Sequence, residues 1–164
     1  MATGTLQIIT MGDPLLRKRS EAVTGFDDEL KDFVKGMFEA LEANRGVGLA
    51  AVQVGSLRRI FVTRAVRDKA RVFINPEILE TSIEQEPFEE GCLSVPGVNA
   101  DVVRPSSVRI QAWNEKGRPF SFTAQGMLAR VIQHEMDHLD GILFVDHLDA
   151  RMRDRLLASY SSRS

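Results

Sequence analysis

The sequence contains one cysteine, no long hydrophobic run and almost no excess of charge. Because Cys92 is alone, an intrachain disulfide is excluded, and the thiol remains available as a metal ligand or nucleophile. No apolar run approaches the roughly 20 residues that span a bilayer. The net charge of -2 gives no general reason to expect a nucleic acid as a ligand. These absences exclude disulfide-stapled and membrane-spanning proteins.

The first residues, MATGTLQIITMGDP, lack both the charged-then-apolar order of a secretory signal and the character of a transit peptide. We therefore expect a cytoplasmic protein, with no membrane partner and no specific nucleic-acid sequence as a partner. The 164 residues are 43% hydrophobic and 27% charged, which suits one domain with a real core. We predict a single domain over residues 1–164, in which 159–164 form a flexible tail.

Hydrophobic periodicity predicts three helices separated by strands. Apolar residues at three-and-four spacing predict an amphipathic helix from Asp27 to Asn44, and similar patterns predict helices from Thr123 to Leu139 and over 150–159 after an Asp149 N-cap. Short β-rich runs between these helices predict strands at 48–54, 58–65, 71–75, 77–83, 92–95, 106–113 and 119–124. The class is α+β, a single domain of short, mostly antiparallel strands around a central helix, with an N-terminal amphipathic helix and a C-terminal helix.

The central helix carries QHEMDHLDG at 133–141, an H-E-x-x-H arrangement. Residues four apart lie on one helical face, so His134 and His138 could bind one ion. Two helix histidines that only pack or face water are the alternative. The third ligand of a metzincin is missing, because Phe144 occupies its position, and no glutamate follows Glu135 to serve as in thermolysin. His147, beyond the end of the helix, is interpreted as a surface residue.

The stretch FEEGCLSVPG at 88–97 offers the missing ligand. A Cys92 thiolate beside two neutral imidazoles gives a three-ligand catalytic set with one open position, for which ligand chemistry alone favours zinc. A buried structural cysteine is the alternative. A second stretch, GVGLAAVQ at 46–53, has almost no side-chain bulk, and an extended peptide could therefore lie along its backbone.

The three stretches GVGLAAVQ, EGCLS at 90–94 and QHEMDHLDG resemble, in order, the motifs of the peptide deformylases, which remove the N-terminal formyl group from newly made proteins. The resemblance covers nearly the whole chain. It implies a catalytic domain that acts on N-formyl-Met nascent peptides. It also implies that Cys92, His134 and His138 bind one Fe2+, for which Zn2+, Ni2+ or Co2+ can substitute.

The same resemblance implies the catalytic roles. Glu135 is expected to accept a proton from water and pass it to the leaving amine. The side-chain amide of Gln53 and the backbone N–H of Leu93 are expected to stabilise the oxyanion.

A pocket for the methionine side chain is predicted from helix spacing and from the neighbouring motifs, although ordinary core packing explains several of the same residues. The predicted substrate-binding residues are Val47, Gly48, Phe88, Glu90, Gly91, Met127, Arg130 and Val131. The guanidinium of Arg130 is expected to reach solvent or a carboxylate. Glu90 and Asp137 are expected to orient the ligands, with Arg104 as an ion-pair partner of Asp137.

Two other functions compete with deformylation: a zincin-type metallopeptidase, and a non-catalytic, metal-stabilised peptide-binding module. A further hypothesis concerns residues 150–164, which contain four arginines, Arg151, Arg153, Arg155 and Arg163, and one acid, Asp154. A solvated helix explains this charge. A ribosome contact near the emerging chain is the alternative. We expect a monomer.

Overall fold

The computed structural model describes residues 6–161 and contains two antiparallel sheets. The larger sheet has the strand order β1-β2-β3-β6-β7, with β1 at Gly48–Ala50, β2 at Ile60–Thr63, β3 at Arg71–Thr81, β6 at Ser107–Trp113 and β7 at Pro119–Gln125. The smaller sheet is a hairpin of β4, Gln85–Cys92, and β5, Val95–Pro105. All ladders between named strands in the described part are antiparallel, as the sequence predicts.

Three α-helices complete the fold: α1 at Asp28–Ala43, α2 at Gly126–Leu139 and α3 at Ala150–Ser161. Short 3-10 helices lie at Pro14–Arg17, Ala51–Val54 and Phe144–His147. The N-terminal cap of α1 is Asp27, whose side chain accepts the Leu30 N–H at 3.0 Å. Asp149 caps α3 in the same way, accepting the Met152 N–H at 2.8 Å. The Asp149 cap was predicted from the sequence, whereas Asp27 was predicted as the first residue of its helix and is its cap.

The central helix α2 separates the two sheets. One of its faces packs Ala129, Ile132 and Leu139 into an apolar cluster with the stacked rings of Phe61 and Phe73, whose centroids are 4.6 Å apart. A second cluster lies between α1 and the sheet edge formed by β1 and β2. The remaining face of α2 turns its histidines toward the hairpin of β4 and β5.

The strand predicted at 48–54 is wrong in its second half. Only Gly48–Ala50 is extended, and Ala51–Val54 form a 3-10 helix. The Gln53 side-chain oxygen accepts the Ala50 N–H at 2.9 Å, and Gly55 at φ 91° closes the turn. The side chain therefore competes with the ladder and ends the strand early.

The predicted strands 71–75 and 77–83 are one strand, β3, with register shifts against β6 between Ile74 and Glu77. Asn75 has φ 50°, which places an irregularity beside Pro76 and lets the strand continue past it. The hairpin of β4 and β5 was missed except for 92–95, which is its turn and not a strand of its own. Glycine, proline and acidic residues hid the β pattern there.

The central helix begins at Gly126, not at Thr123, because residues 119–125 continue β7 alongside β6. The predicted tail at 159–164 is helical as far as Ser161, since the Tyr160 hydroxyl donates to the Met11 carbonyl at 3.1 Å. The rest of that predicted tail, including Arg163, lies outside the described residues. Within 6–161, no helix is both long and apolar enough to cross a membrane.

Candidate metal and substrate site

The sulfur of Cys92 meets the two histidines of α2 where β4 ends. One ligand atom from each of Cys92, His134 and His138 lies within 4.8 Å of the others, and the Cys92 Sγ is 3.3 Å from the His138 Nε2. Phe144, which replaces the third histidine of a metzincin, stacks on His134 with ring centroids 6.0 Å apart. The third candidate ligand thus comes from the hairpin and not from the chain after α2.

These three residues fit a metal ion chemically as well as spatially. The His134 Nδ1 lies 2.9 Å from the Glu90 carboxylate, so the Nε2 of this ring is left to face the site. Burial lowers the pKa of His138 well below its usual value, which favours the neutral imidazole that ligates. Against the effect of burial, hydrogen bonds to Cys92 and Glu90 raise the pKa of His134 above its usual value. A thiol and these two imidazoles, gathered around one point, suit a divalent transition-metal ion.

Behind His134 lies a buried network of ions centred on Glu90. Arg104 binds this carboxylate through Nε at 2.6 Å and through a terminal nitrogen at 3.0 Å, and Arg130 binds it at 2.7 Å. Burial alone would raise the pKa of Glu90, but the hydrogen bonds from His134 and Arg104 hold it at about 2. The carboxylate is therefore charged and fixes the ring of His134.

The network reaches the surface through Asp137. Arg104 donates to Asp137 at 3.0 Å, which confirms the predicted ion pair. His147 lies with its Nε2 2.7 Å from the same carboxylate and keeps 37% of its side chain exposed. His147 is a surface residue, as interpreted from the sequence, and it also ends this chain of contacts. Its distance of ten residues from Asp137 gave no helical signal.

Glu135 is buried beside the ligands but is not one of the three grouped ligands. Burial raises the pKa of this carboxyl to about 7, against the opposing effect of His134. Its Oε1 accepts no hydrogen bond from the described residues, whereas its Oε2 lies only 2.6 Å from where a Cβ on Gly48 would stand. A carboxyl that titrates near neutrality in such a position suits proton transfer.

Gln53 is fixed beside Cys92 by contacts at both ends of its amide. Its Oε1 accepts the Ala50 N–H, and its Nε2 donates to the Ser94 hydroxyl at 3.0 Å and toward the Cys92 sulfur at 3.6 Å. Leu93 and Ser94 form the turn that joins β4 to β5. Sequence reasoning missed the contact of Ser94, although the residue belongs to EGCLS.

A cavity of about 600 Å³ opens over these groups. It is lined by all eight predicted substrate-binding residues and by Gln53, Cys92, Leu93, His134 and Glu135. Gly46, from the GVGLAAVQ stretch predicted to accept a peptide, also lines the cavity. The sequence did not single out its remaining lining residues as substrate-binding: Asn44, Arg45, Val66, Glu89, Pro96, Gly97 and Asn99. Most of them flank the motifs in sequence, and that proximity was the only available signal.

One wall of the cavity is the outer edge of β1. This strand ends the order of the larger sheet, so its second edge has no strand partner among residues 6–161. The Arg64 N–H donates to the Val47 carbonyl at 2.8 Å, which turns the backbone of Val47 toward β2. Because backbone groups alternate along an antiparallel strand, those of Gly48 point to the free edge. This edge can hydrogen-bond an extended peptide.

An α+β fold in which Cys92, His134 and His138 converge beside the buried Glu135 carboxyl is typical of a metal-dependent hydrolase. Residues 5–154 of this chain match the model of the family described as Polypeptide deformylase. A peptide deformylase of Treponema pallidum is 46% identical over 157 residues, which are 96% of this chain and 96% of that protein. A crystal structure of a peptide deformylase from Legionella pneumophila has a TM-score of 0.89 and 39% identity, covering 97% of this chain and 96% of that chain.

The peptide deformylase of Thermotoga maritima superposes with a TM-score of 0.87 and 41% identity, covering 90% of this chain and 99% of that chain. The chain therefore belongs to the polypeptide deformylase family. It is an enzyme that removes the N-formyl group from nascent peptides, and its family is one of metalloenzymes. Neither the metallopeptidase nor the non-catalytic binding module finds support in these comparisons.

Proposed function

We propose that Cys92, His134 and His138 hold one Fe2+ in the cell and that Glu135 is the general base of deformylation. The observation that carries the proposal is the buried Glu135 carboxyl beside three converging ligand atoms. Iron rests on the family resemblance, because a thiolate and two imidazoles also suit Zn2+, Ni2+ or Co2+. A divalent ion held there supplies Lewis acidity, which polarises a carbonyl and makes a water molecule more acidic.

Glu135 accepts one proton from the attacking water, whose oxygen forms a bond to the formyl carbon. Gln53 Nε2 and the Leu93 N–H donate to the formyl oxygen as negative charge develops on it. The carbon–nitrogen bond then breaks, and Glu135 returns its proton to the leaving amine. Formate and a free N-terminus are released. The fixed amide of Gln53 supports this role, because one N–H of its Nε2 donates to Ser94 while the second, directed toward the Cys92 sulfur, can donate to the substrate.

The peptide binds along the free edge of β1, where Gly48 offers unpaired backbone groups and no side chain. The methionine side chain enters the cavity near Phe88, Met127 and Val131, all of which line it. Phe88 and Met127 are 48% and 42% exposed. These apolar surfaces gain burial when a methionine side chain covers them.

Formate and acetate release from formyl-Met and acetyl-Met peptides tests the mechanism. We expect formyl peptides to react at least about 100-fold faster, because the extra methyl group displaces the oxygen from its donors. The protein is purified without air for this assay. Comparable turnover of the two peptides would contradict the donor arrangement, and absence of formate would contradict the function.

Metal content and air sensitivity test the ligand set. Anaerobically purified protein should carry iron, and each of Cys92→Ser and His138→Ala should lower the bound metal per chain. Air should inactivate the iron form faster than the nickel or cobalt form, through oxidation of the metal or of the thiolate. Equal aerobic lifetimes for every metal would argue against iron bound to a thiolate.

We further propose that the protein works as a cytoplasmic monomer that touches the ribosome through α3. Arg151 and Arg155 are exposed on this helix, while Leu156, Leu157 and Tyr160 pack against the cluster around β5. Replacing both arginines by glutamine should reduce cosedimentation with ribosomes at low salt, because phosphate contacts depend on charge. The matched control replaces exposed Arg109 and Arg118. An equal loss of cosedimentation in the α3 variant and in the control, or no loss in the α3 variant, would contradict the contact.

A further inference from the structure

A second cavity of about 290 Å³ continues from the substrate cavity. The two share four lining residues, Arg45, Gly46, Val47 and Val66. The remaining residues that line the second cavity are Phe38, Leu41, Glu42 and Arg64. The deformylation mechanism uses none of these four. An elongated ligand that fills the first cavity would therefore meet Arg45 at the junction.

The position of Glu135 indicates in which direction a bound peptide would run through the two cavities. Glu135 lies against Gly48, and Arg45 stands three residues earlier in the chain, where the first cavity meets the second. Three residues of extended chain span at most about 10 Å, and the turn at Arg45 makes its distance from Gly48 shorter than this. A peptide with its formyl group near Glu135 would run antiparallel to β1 and pass Arg45 at its second or third residue.

The backbone at Arg45 is in a conformation that a side chain disfavours. Arg45 has φ 55° and follows the C-terminal cap of α1, where a glycine is usual. Its N–H donates to the Glu42 carbonyl at 3.1 Å, and the Gly46 N–H donates to the Leu41 carbonyl at 3.0 Å. These two bonds form a Schellman motif. An arginine held there against its preference, at a cavity mouth, indicates a role for its side chain.

The guanidinium of Arg45 is exposed and makes no ion pair within residues 6–161. Its neighbour Arg64 lies 3.9 Å from Glu42, with both side chains more than half exposed, and is 5.9 Å from the ring centroid of Phe38. Two arginines and one glutamate therefore line the second cavity. The first cavity is also lined by one exposed acid, Glu89.

We propose that Arg45, assisted by Arg64, is a specificity-determining residue that favours an acidic side chain at the second or third position of the formylated peptide. The inference rests on the proposed course of the peptide along β1. The carboxylate of such a side chain would enter the second cavity and form an ion pair with Arg45. A lysine at the same position would face two like charges.

Amidated peptides of the form formyl-Met-X-Y test the proposal without a free C-terminal carboxylate. The series contains Ala-Ala, Asp-Ala, Ala-Asp, Lys-Ala and Ala-Lys after the methionine. We expect kcat/KM to be about threefold higher for an Asp peptide than for its Lys counterpart, the size typical of an exposed ion pair. The ratio should shrink toward one at high salt because the charges are screened.

Three variants test whether Arg45 causes the difference in kcat/KM between Asp and Lys peptides. Arg45→Gln should abolish most of the preference, and Arg45→Glu should reverse it. Arg109→Glu makes the same change in net charge at an exposed position outside both cavities and should keep the preference of the unmodified protein. Melting temperatures of all variants check that each protein is folded.

Equal rates for the Asp and Lys peptides at low salt would overturn the proposal, even if no variant folds. A preference that survives in Arg45→Gln, or changes equally in Arg109→Glu, would also overturn it. Failure of the unmodified protein to deformylate formyl-Met-Ala-Ala amide would instead contradict the deformylation mechanism itself. The two failures are therefore distinguishable in one set of assays.

Discussion

Behind His134 the cavity wall is filled with charged side chains, whereas along β1 it is almost bare backbone. Glu90, Arg104 and Arg130 are all at most 8% exposed and satisfy one another with hydrogen bonds. On the opposite wall, Gly46 and Gly48 leave room only because they lack a Cβ. Ion pairs position the side chains of the first wall, whereas the second wall leaves space for Glu135 and the peptide because its glycines have no side chain.

This difference predicts two kinds of sensitivity. On the ligand wall, a change of charge at constant size should be harmful, because each buried ion depends on its partners. On the β1 wall, a change of size at constant charge should be harmful, because any new atom occupies the space of Glu135 or of the peptide. The following variants separate these two kinds of effect.

Gly48→Ala should give the largest loss on the β1 wall. Its Cβ would lie 2.6 Å from the Glu135 Oε2 and 2.7 Å from the Val131 Cγ1, so the carboxyl must move. A displacement of about 1 Å near the reaction typically costs on the order of 100-fold in rate, measured here as kcat/KM for a formyl-Met peptide. Gly25→Ala is the matched control, since its Cβ would contact nothing within 4 Å. Similar rates for the two variants would contradict the tight fit.

Glu90→Gln should act on the ligand wall through charge. The change removes the carboxylate that orients His134, which typically lowers metal affinity about 10- to 100-fold. It also leaves Arg104 and Arg130 buried without their shared partner, a loss of about 3–5 kcal/mol in the free energy of unfolding. Metal titration and chemical denaturation measure the two effects. Glu86→Gln, at an exposed carboxylate of the same strand, should change neither.

Ser94→Ala should have a smaller effect, because it acts through Gln53. Without the hydroxyl, one N–H of the buried amide loses its partner, and the orientation of the amide loosens. We expect kcat to fall by roughly tenfold with little change in KM, equivalent to about 1–2 kcal/mol for a lost buried hydrogen bond. Ser121→Ala, at an exposed position of β7, serves as the control. A rise in KM alone would place Ser94 in peptide binding.

The sequence predicted those features that depend on local spacing. Asp149 caps α3 as expected, α1 starts within one residue of its predicted start at Asp27, and the i, i+4 spacing of His134 and His138 brings both rings to one point. Cys92 was proposed as their partner because no standard ligand follows the central helix, and the family resemblance implies the same set. The caps and the histidine pair needed only residue type and position on one element.

The features that failed depend on contacts between distant segments. The β4–β5 hairpin was missed because its strands contain acids, glycines and prolines, yet they pair from Gln85–Pro105 to Gly91–Asn99 and, after a register shift, at Cys92–Val95. His147 meets Asp137 only because a 3-10 helix turns the chain back after α2. Arg45 lines two cavities and has a positive φ of 55°, a conformation that the sequence pattern did not predict.

The central claim is that Glu135 moves the proton beside a metal that it does not hold. The most direct test measures metal content and formate release on one preparation of Glu135→Gln. We predict metal content and melting temperature close to those of the unmodified protein, with turnover reduced by about 10²- to 10⁴-fold, the range for a positioned general base. Turnover near the original value, with the metal retained, would remove Glu135 from the mechanism.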